Sequence, residues 1–177
     1  MNYVALLRGI NVSGHHVIKM TELRELLTSL NFYQVKTYIQ SGNIVFSCDK
    51  SVGLEKMICN AIETRFSIHV PVLIRSKPEL ERIIRNNPWL HFPEISENHL
   101  HITFLSKAPV KDKLPDLTDM VSDGDSAKLK NQEIFLHCPS GYGKTRFHNT
   151  FFERKFNCTA TTRNWKTVNT LYGMMND

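Results

Sequence analysis

The chain has 177 residues, enough for one large domain or two small ones, since each compact unit needs roughly 70 residues to bury a useful core. With 41% hydrophobic and 22% charged residues the composition is that of an ordinary globular protein, and no run approaches the roughly 20 apolar residues that cross a bilayer, which argues against a membrane-spanning helix. Lys and Arg number 22 against 17 Asp and Glu, a net charge of +5 that favours anionic partners without choosing among nucleic acid, a phosphorylated metabolite and a membrane surface. Cys48, Cys59, Cys138 and Cys158 form no Cys-x-x-Cys pair, so they fit neither a disulfide scaffold nor a zinc ribbon and read as reduced thiols. Met1 to Arg8 lacks a basic leader and a cleavage site, and the expected location is cytoplasmic.

In chain order, Tyr3–Arg8 alternates as a strand. Met20–Asn31 then places Leu23, Leu26, Leu27 and Leu30 on one helical face, with Thr21 near the expected N-cap. Tyr33–Gln40 and Ile44–Cys48 are strand-like runs joined by Ser41-Gly42-Asn43, a tight-turn sequence. Leu54, Met57, Ile58, Ala61, Ile62 and Phe66 mark a second helix, and Ile68–Arg75 is rich in β-branched residues. The order is β-α-β-β-α-β, that of a ferredoxin-like unit.

Pro78 suits the first turn of a short helix through Ile83 and Ile84, and Pro88 marks its end. The order then recurs: a strand at His99–Ser106, a short helix at Leu114–Val121, and a hairpin of Ser126–Lys130 and Glu133–Cys138 turning at Asn131-Gln132. A helix follows, with capping-box spacing from Thr150 to Glu153, then an extended piece at Thr159–Thr162 and a last helix carrying Trp165, Val168, Tyr172 and Met175. The expected fold is α+β: two tandem ferredoxin-like units (βαββαβ, the α/β plait) with a C-terminal helix. The boundaries fall at 1–76 for the first unit, 77–97 for a linker with a short helix and 98–177 for the second unit. The repetition is one of architecture, with no residues matching between the halves.

Three segments carry a resemblance: Ala5-Leu6-Leu7-Arg8-Gly9-Ile10-Asn11-Val12, Tyr38-Ile39-Gln40-Ser41-Gly42-Asn43-Ile44-Val45-Phe46, and Thr161-Thr162-Arg163-Asn164-Trp165-Lys166-Thr167-Val168. In order and spacing they resemble the signature segments of the bacterial DUF1697 family, and the resemblance spans the whole chain. It implies the tandem ferredoxin-like fold and no established activity, so no catalytic residue carries over and whether the protein is an enzyme stays open. Val12-Ser13-Gly14 departs from the paired glycines the family usually shows there.

In a right-handed βαββαβ unit the loop after the first strand and the central hairpin emerge at one sheet edge, which gathers Arg8 and Asn11 with Gln40, Ser41 and Asn43. Such a cluster can hold a small polar ligand, or it can satisfy turn backbone groups while Arg8 pairs with a carboxylate. Cys138-Pro139-Ser140-Gly141-Tyr142-Gly143-Lys144-Thr145 ends like a P-loop, but Cys138 stands where the pattern needs glycine and no Walker-B carboxylate follows. What remains is an anion site of Lys144, Thr145 and Arg146 near a helix start, or a solvated loop. Thr162, Arg163 and Asn164 lie before the last helix. Capping accounts for Thr162 or Asn164 but not for Arg163, since a cation at a helix start opposes the macrodipole.

His99 and His101 alternate with Leu100 and Ile102, and with His137 they are expected on one sheet face; three imidazoles without a fourth ligand do not define a metal site, and no metal or cofactor is expected. His148 has no recognisable partner in the sequence. The leading expectation is binding of an anionic small molecule, a phosphorylated metabolite or nucleotide, through these loops and helix starts. The first alternative is an RNA or single-stranded DNA module stacking bases on Tyr38 and Phe135, although the RNA-recognition motif is missing. The second is a structural or regulatory protein without a ligand, for which an unpaired edge strand would allow dimerisation.

Overall fold

A computed structural model describes residues 1–12, 14, 16–109 and 120–176. It is an α+β structure of two antiparallel sheets, and its described residues include five α-helices. The chain divides into two compact units, Met1–Glu81 with Thr170–Asp177, and Arg82–Asn169.

The first unit runs β1 (Asn2–Leu7), α1 (Met20–Ser29), β2 (Tyr33–Tyr38), β3 (Asn43–Ser47), α2 (Leu54–Phe66), β4 (Val72–Ser76) and the start of α3 (Lys77–Arg85). The strands lie side by side in the order β2-β3-β1-β4. Strand alternation sends Tyr3, Ala5 and Leu7 of β1 and Ile44 and Phe46 of β3 to the side where Leu23, Leu27, Leu54, Ile58 and Ile62 of the two helices form the core. Val4, Leu6, Val45, Leu73 and Arg75, which point to the opposite side, are buried too. Buried on both faces, these strands read as nearly unbroken apolar runs. Helix α1 has Lys19 at its N-cap, two residues before Thr21, which lies in the first turn, and no side chain caps it.

The second unit holds β5 (Leu100–Leu105), β6 (Met120–Ser122), β7 (Asp125–Lys130), β8 (Glu133–His137), α4 (Asn149–Phe156), β9 (Ala160–Asn164) and the first half of α5 (Trp165–Met174). Its sheet is ordered β6-β7-β8-β5-β9. The helix expected at Leu114–Val121 falls mostly on 110–119, outside the described residues, and Met120 and Val121 belong to β6, paired with Ala127 and Ser126. Phe147, Phe152 and Phe156 pack with Leu105, Ile134, Leu136 and Cys138 on one side of this sheet. Helix α4 is capped by His148, whose Nδ1 accepts the Phe151 amide at 3.2 Å, in place of Thr150. Glu153, expected to close a capping box, instead accepts the Ala160 amide of β9 at 3.1 Å.

Candidate functional site

The loop after β1 and the β2–β3 hairpin do meet. Asn11, held at φ 54°, donates from Nδ2 to the carbonyls of Ile18 at 3.0 Å and Gln40 at 2.8 Å, and its Oδ1 accepts the Ile18 amide at 2.9 Å. Asn43 is fully buried and donates from Nδ2 to the Tyr38 carbonyl at 3.1 Å and to Ser41 Oγ at 2.9 Å. An amide nitrogen has two donors, and each asparagine uses both internally. Between them Gly42 sits at φ +72°, with its carbonyl accepting the Leu7 amide at 2.8 Å. Arg8 is half-buried and the Gln40 side chain is exposed. The hydrogen bonds of Asn11 and Asn43 are those of turn-fastening groups.

Arg163 lies in β9, paired with Ile102 of β5, because that strand runs on to Asn164 and α5 starts only at Trp165. It is thus a strand residue that directly precedes Asn164, the cap of α5. Its Nη1 donates to Thr161 Oγ1 at 2.8 Å and to the Thr162 carbonyl at 2.9 Å, and the residue is 9% exposed. Asn164 caps α5, accepting the Thr167 amide at 2.7 Å. The Thr162 hydroxyl donates to Asn149 Oδ1 at 2.7 Å and meets Thr103 Oγ1 at 2.7 Å, tying β9 to the first residue of α4.

The histidines do not share a face. His101 pairs with Leu136 and His137 with Leu100, so strand alternation sends their rings to opposite sides; His101 stacks on Tyr142 at 4.9 Å, while His137 lies 6.3 Å from the His99 ring. Burial lowers the pKa of both His101 and His137; the charge of His99 adds to this at His137, while at His101 the hydrogen bond to the His99 carbonyl offsets part of it. Burial likewise pushes the Cys138 thiol up to about 11, which leaves it an inert core group.

The Gly-Lys-Thr segment departs from P-loop geometry. Tyr142–Lys144 form a 3-10 turn, Thr145 is extended and buried with Oγ1 accepting the Phe147 amide at 3.1 Å, and α4 begins four residues later at Asn149. The backbone amides that would cradle a phosphate do not open the helix here. What α4 offers instead is side chains. Phe151 has Arg154 and Lys155 at i+3 and i+4 and His148 one turn before it, so all four share one flank of the helix. With Arg146 they line a groove of about 480 Å³ whose lining contains no carboxylate. Phe147 meets Phe151 edge-on at 5.7 Å, Lys155 Nζ lies 5.8 Å from the Phe151 ring centre, and Arg146 reaches Ser122 Oγ at 3.4 Å. Of these five residues the sequence reading named only Arg146 as a ligand group; the signal it passed over is a basic, aromatic flank on a helix whose other flank is Phe152 and Phe156. Lys144 is exposed in the preceding turn.

These features define a class: an α+β protein with two antiparallel sheets and a basic groove on one helix. Residues 1–135 match the family described as "Protein of unknown function (DUF1697)", and the chain belongs to that family. No curated protein matches it. Among solved structures it is similar to a conserved bacterial protein from Streptococcus pneumoniae, 27% identical, with a TM-score of 0.72 and 98% of each chain covered. No helix among the described residues is long and apolar enough to cross a membrane.

Proposed function

We propose that the protein binds an anionic small molecule with a planar or apolar part, a nucleotide or phosphorylated metabolite, in the groove along α4. The observation that carries this is the groove's lining: Arg146, Arg154 and Lys155 bring three positive charges around Phe151 and no negative one. Guanidinium groups bind phosphate in a bidentate fork, Lys adds a point charge, and an aromatic face accepts a base or other flat group at about 1–3 kcal/mol. Lys144, exposed two residues before Arg146, adds positive charge to the same stretch of chain. The free thiols of all four cysteines accord with a cytoplasmic setting. Each unit is read as ferredoxin-like: the order β2-β3-β1-β4 of the first recurs as β7-β8-β5-β9 in the second, with β6 added at the edge. The nucleic-acid reading is weaker, because Phe135 is only 1% exposed and has no open face for a base.

A melting-temperature screen against nucleotides, sugar phosphates and coenzymes tests the proposal. A ligand at a hundredfold its Kd adds about 2.7 kcal/mol, which for a chain of this size is a rise of roughly 5–10 °C. The double variant Arg146→Glu with Lys155→Glu is expected to abolish the rise while leaving the unliganded melting temperature nearly unchanged, since both side chains stand at the surface groove. A panel without any shift, or a shift that survives the double variant, overturns the reading.

A further inference from the structure

We propose that Cys59, Glu63 and His69, at the C-terminal end of α2, form a three-ligand site for a zinc-like divalent cation. Cys59 and Glu63 are one turn apart on α2 and so share a face. The helix ends at Ser67, whose left-handed conformation (φ 56°) reverses the chain and lets its amide reach the Glu63 carbonyl at 2.9 Å. Ile68 and Val70 then pack into the core, and His69 between them is turned outward. The reversal brings its imidazole back over the last turns of the helix.

His69 Nδ1 lies 3.3 Å from Glu63 Oε2 and 3.8 Å from Cys59 Sγ, and all three ligand atoms fall within 4.8 Å of one another. With bonds of about 2.3 Å to sulfur and 2.0–2.1 Å to nitrogen and oxygen, a tetrahedral zinc ion sets its ligands about 3.6 Å apart for the S–N edge and about 3.3 Å for the N–O edge. The two edges at His69 are thus already near zinc dimensions. A surface ion pair between His69 and Glu63, whose side chains are 66% and 55% exposed, accounts for two of the three groups but not for the thiol. One ring nitrogen facing both sulfur and carboxylate oxygen can share a proton with only one of them at a time; a cation between them serves all three. A thiolate and a carboxylate also cancel the charge of a divalent ion, and a mixed S, N, O donor set favours zinc over the oxygen-seeking calcium and magnesium. Exposure on this side leaves the fourth position open to water.

Cobalt(II), titrated into the metal-free full-length protein, reads the site optically. One equivalent is expected to produce visible bands of tetrahedral intensity and a sulfur-to-cobalt charge-transfer band, both displaced by zinc. Cys59→Ser is expected to remove the charge-transfer band, and Glu63→Gln and His69→Ala each to weaken binding by about tenfold or more, while Cys158→Ser changes nothing. Glu63 and His69 are exposed, so their variants carry the test even where Cys59→Ser disturbs folding. An octahedral spectrum without the sulfur band, a band that survives Cys59→Ser, or full affinity in both Glu63→Gln and His69→Ala overturns the proposal.

Discussion

Laid position by position, the two sheets share a register but differ in the polar groups they bury. Val4 is flanked by Val45 and Arg75 in the first sheet, and Ile102 by Phe135 and Arg163 in the second, so each sheet has a buried arginine beside the third residue of its central strand. Each arginine donates from Nη1 to the carbonyl of the residue before it, at 2.8 Å for Arg75 and 2.9 Å for Arg163. The first residue of the inner hairpin strand is a buried polar group in both, but it is the neutral Asn43 in one and the acidic Glu133 in the other. In the first unit the loop asparagines use their donors to fasten turns, whereas in the second the cations of α4 gather around a groove. A polar residue at a loop is therefore not yet a binding residue; what decides is whether the fold has already used its hydrogen bonds.

The sharpest way to break this comparison is at Gly42. A Cβ there would stand 2.6 Å from Leu7 Cβ and 2.9 Å from Ile10 Cδ1, at a φ of +72°. Gly42→Ala is expected to cost about 3 kcal/mol from overpacking and left-handed strain, measured by urea denaturation. Asn43→Ala, which strands the Tyr38 carbonyl, should cost about 2 kcal/mol in the same assay. Were both substitutions harmless, the turn-fastening role of this cluster would be refuted.

A smaller effect separates the units by pH. The strands of the first sheet contain no histidine, while the second has His101 and His137, both with pKa lowered chiefly by burial. With the folded pKa below the unfolded value of about 6.5, the unfolded state binds more protons as pH falls through that value, so stability is complete above it and declines below it. Trp89 and Trp165 both lie in the second unit, so the decline should register in tryptophan fluorescence during denaturation series at successive pH values. His101→Gln is expected to flatten the slope; an unchanged slope would show that His101 makes no contribution.

Much of this architecture was legible in the sequence because hydrophobic period reports on faces. The i, i+3, i+4 leucines of α1 and the alternation of β1 place those elements within a residue or two of where they lie. Ends were harder to read. Extending β9 by two residues beyond Thr162 puts Arg163 in a sheet, one residue before the cap of α5, and starting α4 at Asn149 passes the cap from Thr150 to His148. The match between Arg75 and Arg163 emerges only when register is known, since the neighbouring residues Leu73-Ile74 and Thr161-Thr162 share nothing. The Cys59, Glu63 and His69 cluster likewise depends on a left-handed Ser67, a residue whose type does not announce that conformation.

The central claim, that the anion-binding surface is the flank of α4 and not the β1 loop with its hairpin, is tested most directly by residue-resolved NMR of the full chain during titration with inorganic phosphate and adenosine monophosphate. The account predicts saturable shifts confined to Arg146, His148, Phe151, Arg154, Lys155 and their neighbours, with Asn11, Gln40 and Asn43 unmoved. Saturable shifts centred on Asn11 and Asn43, or none anywhere, would contradict it.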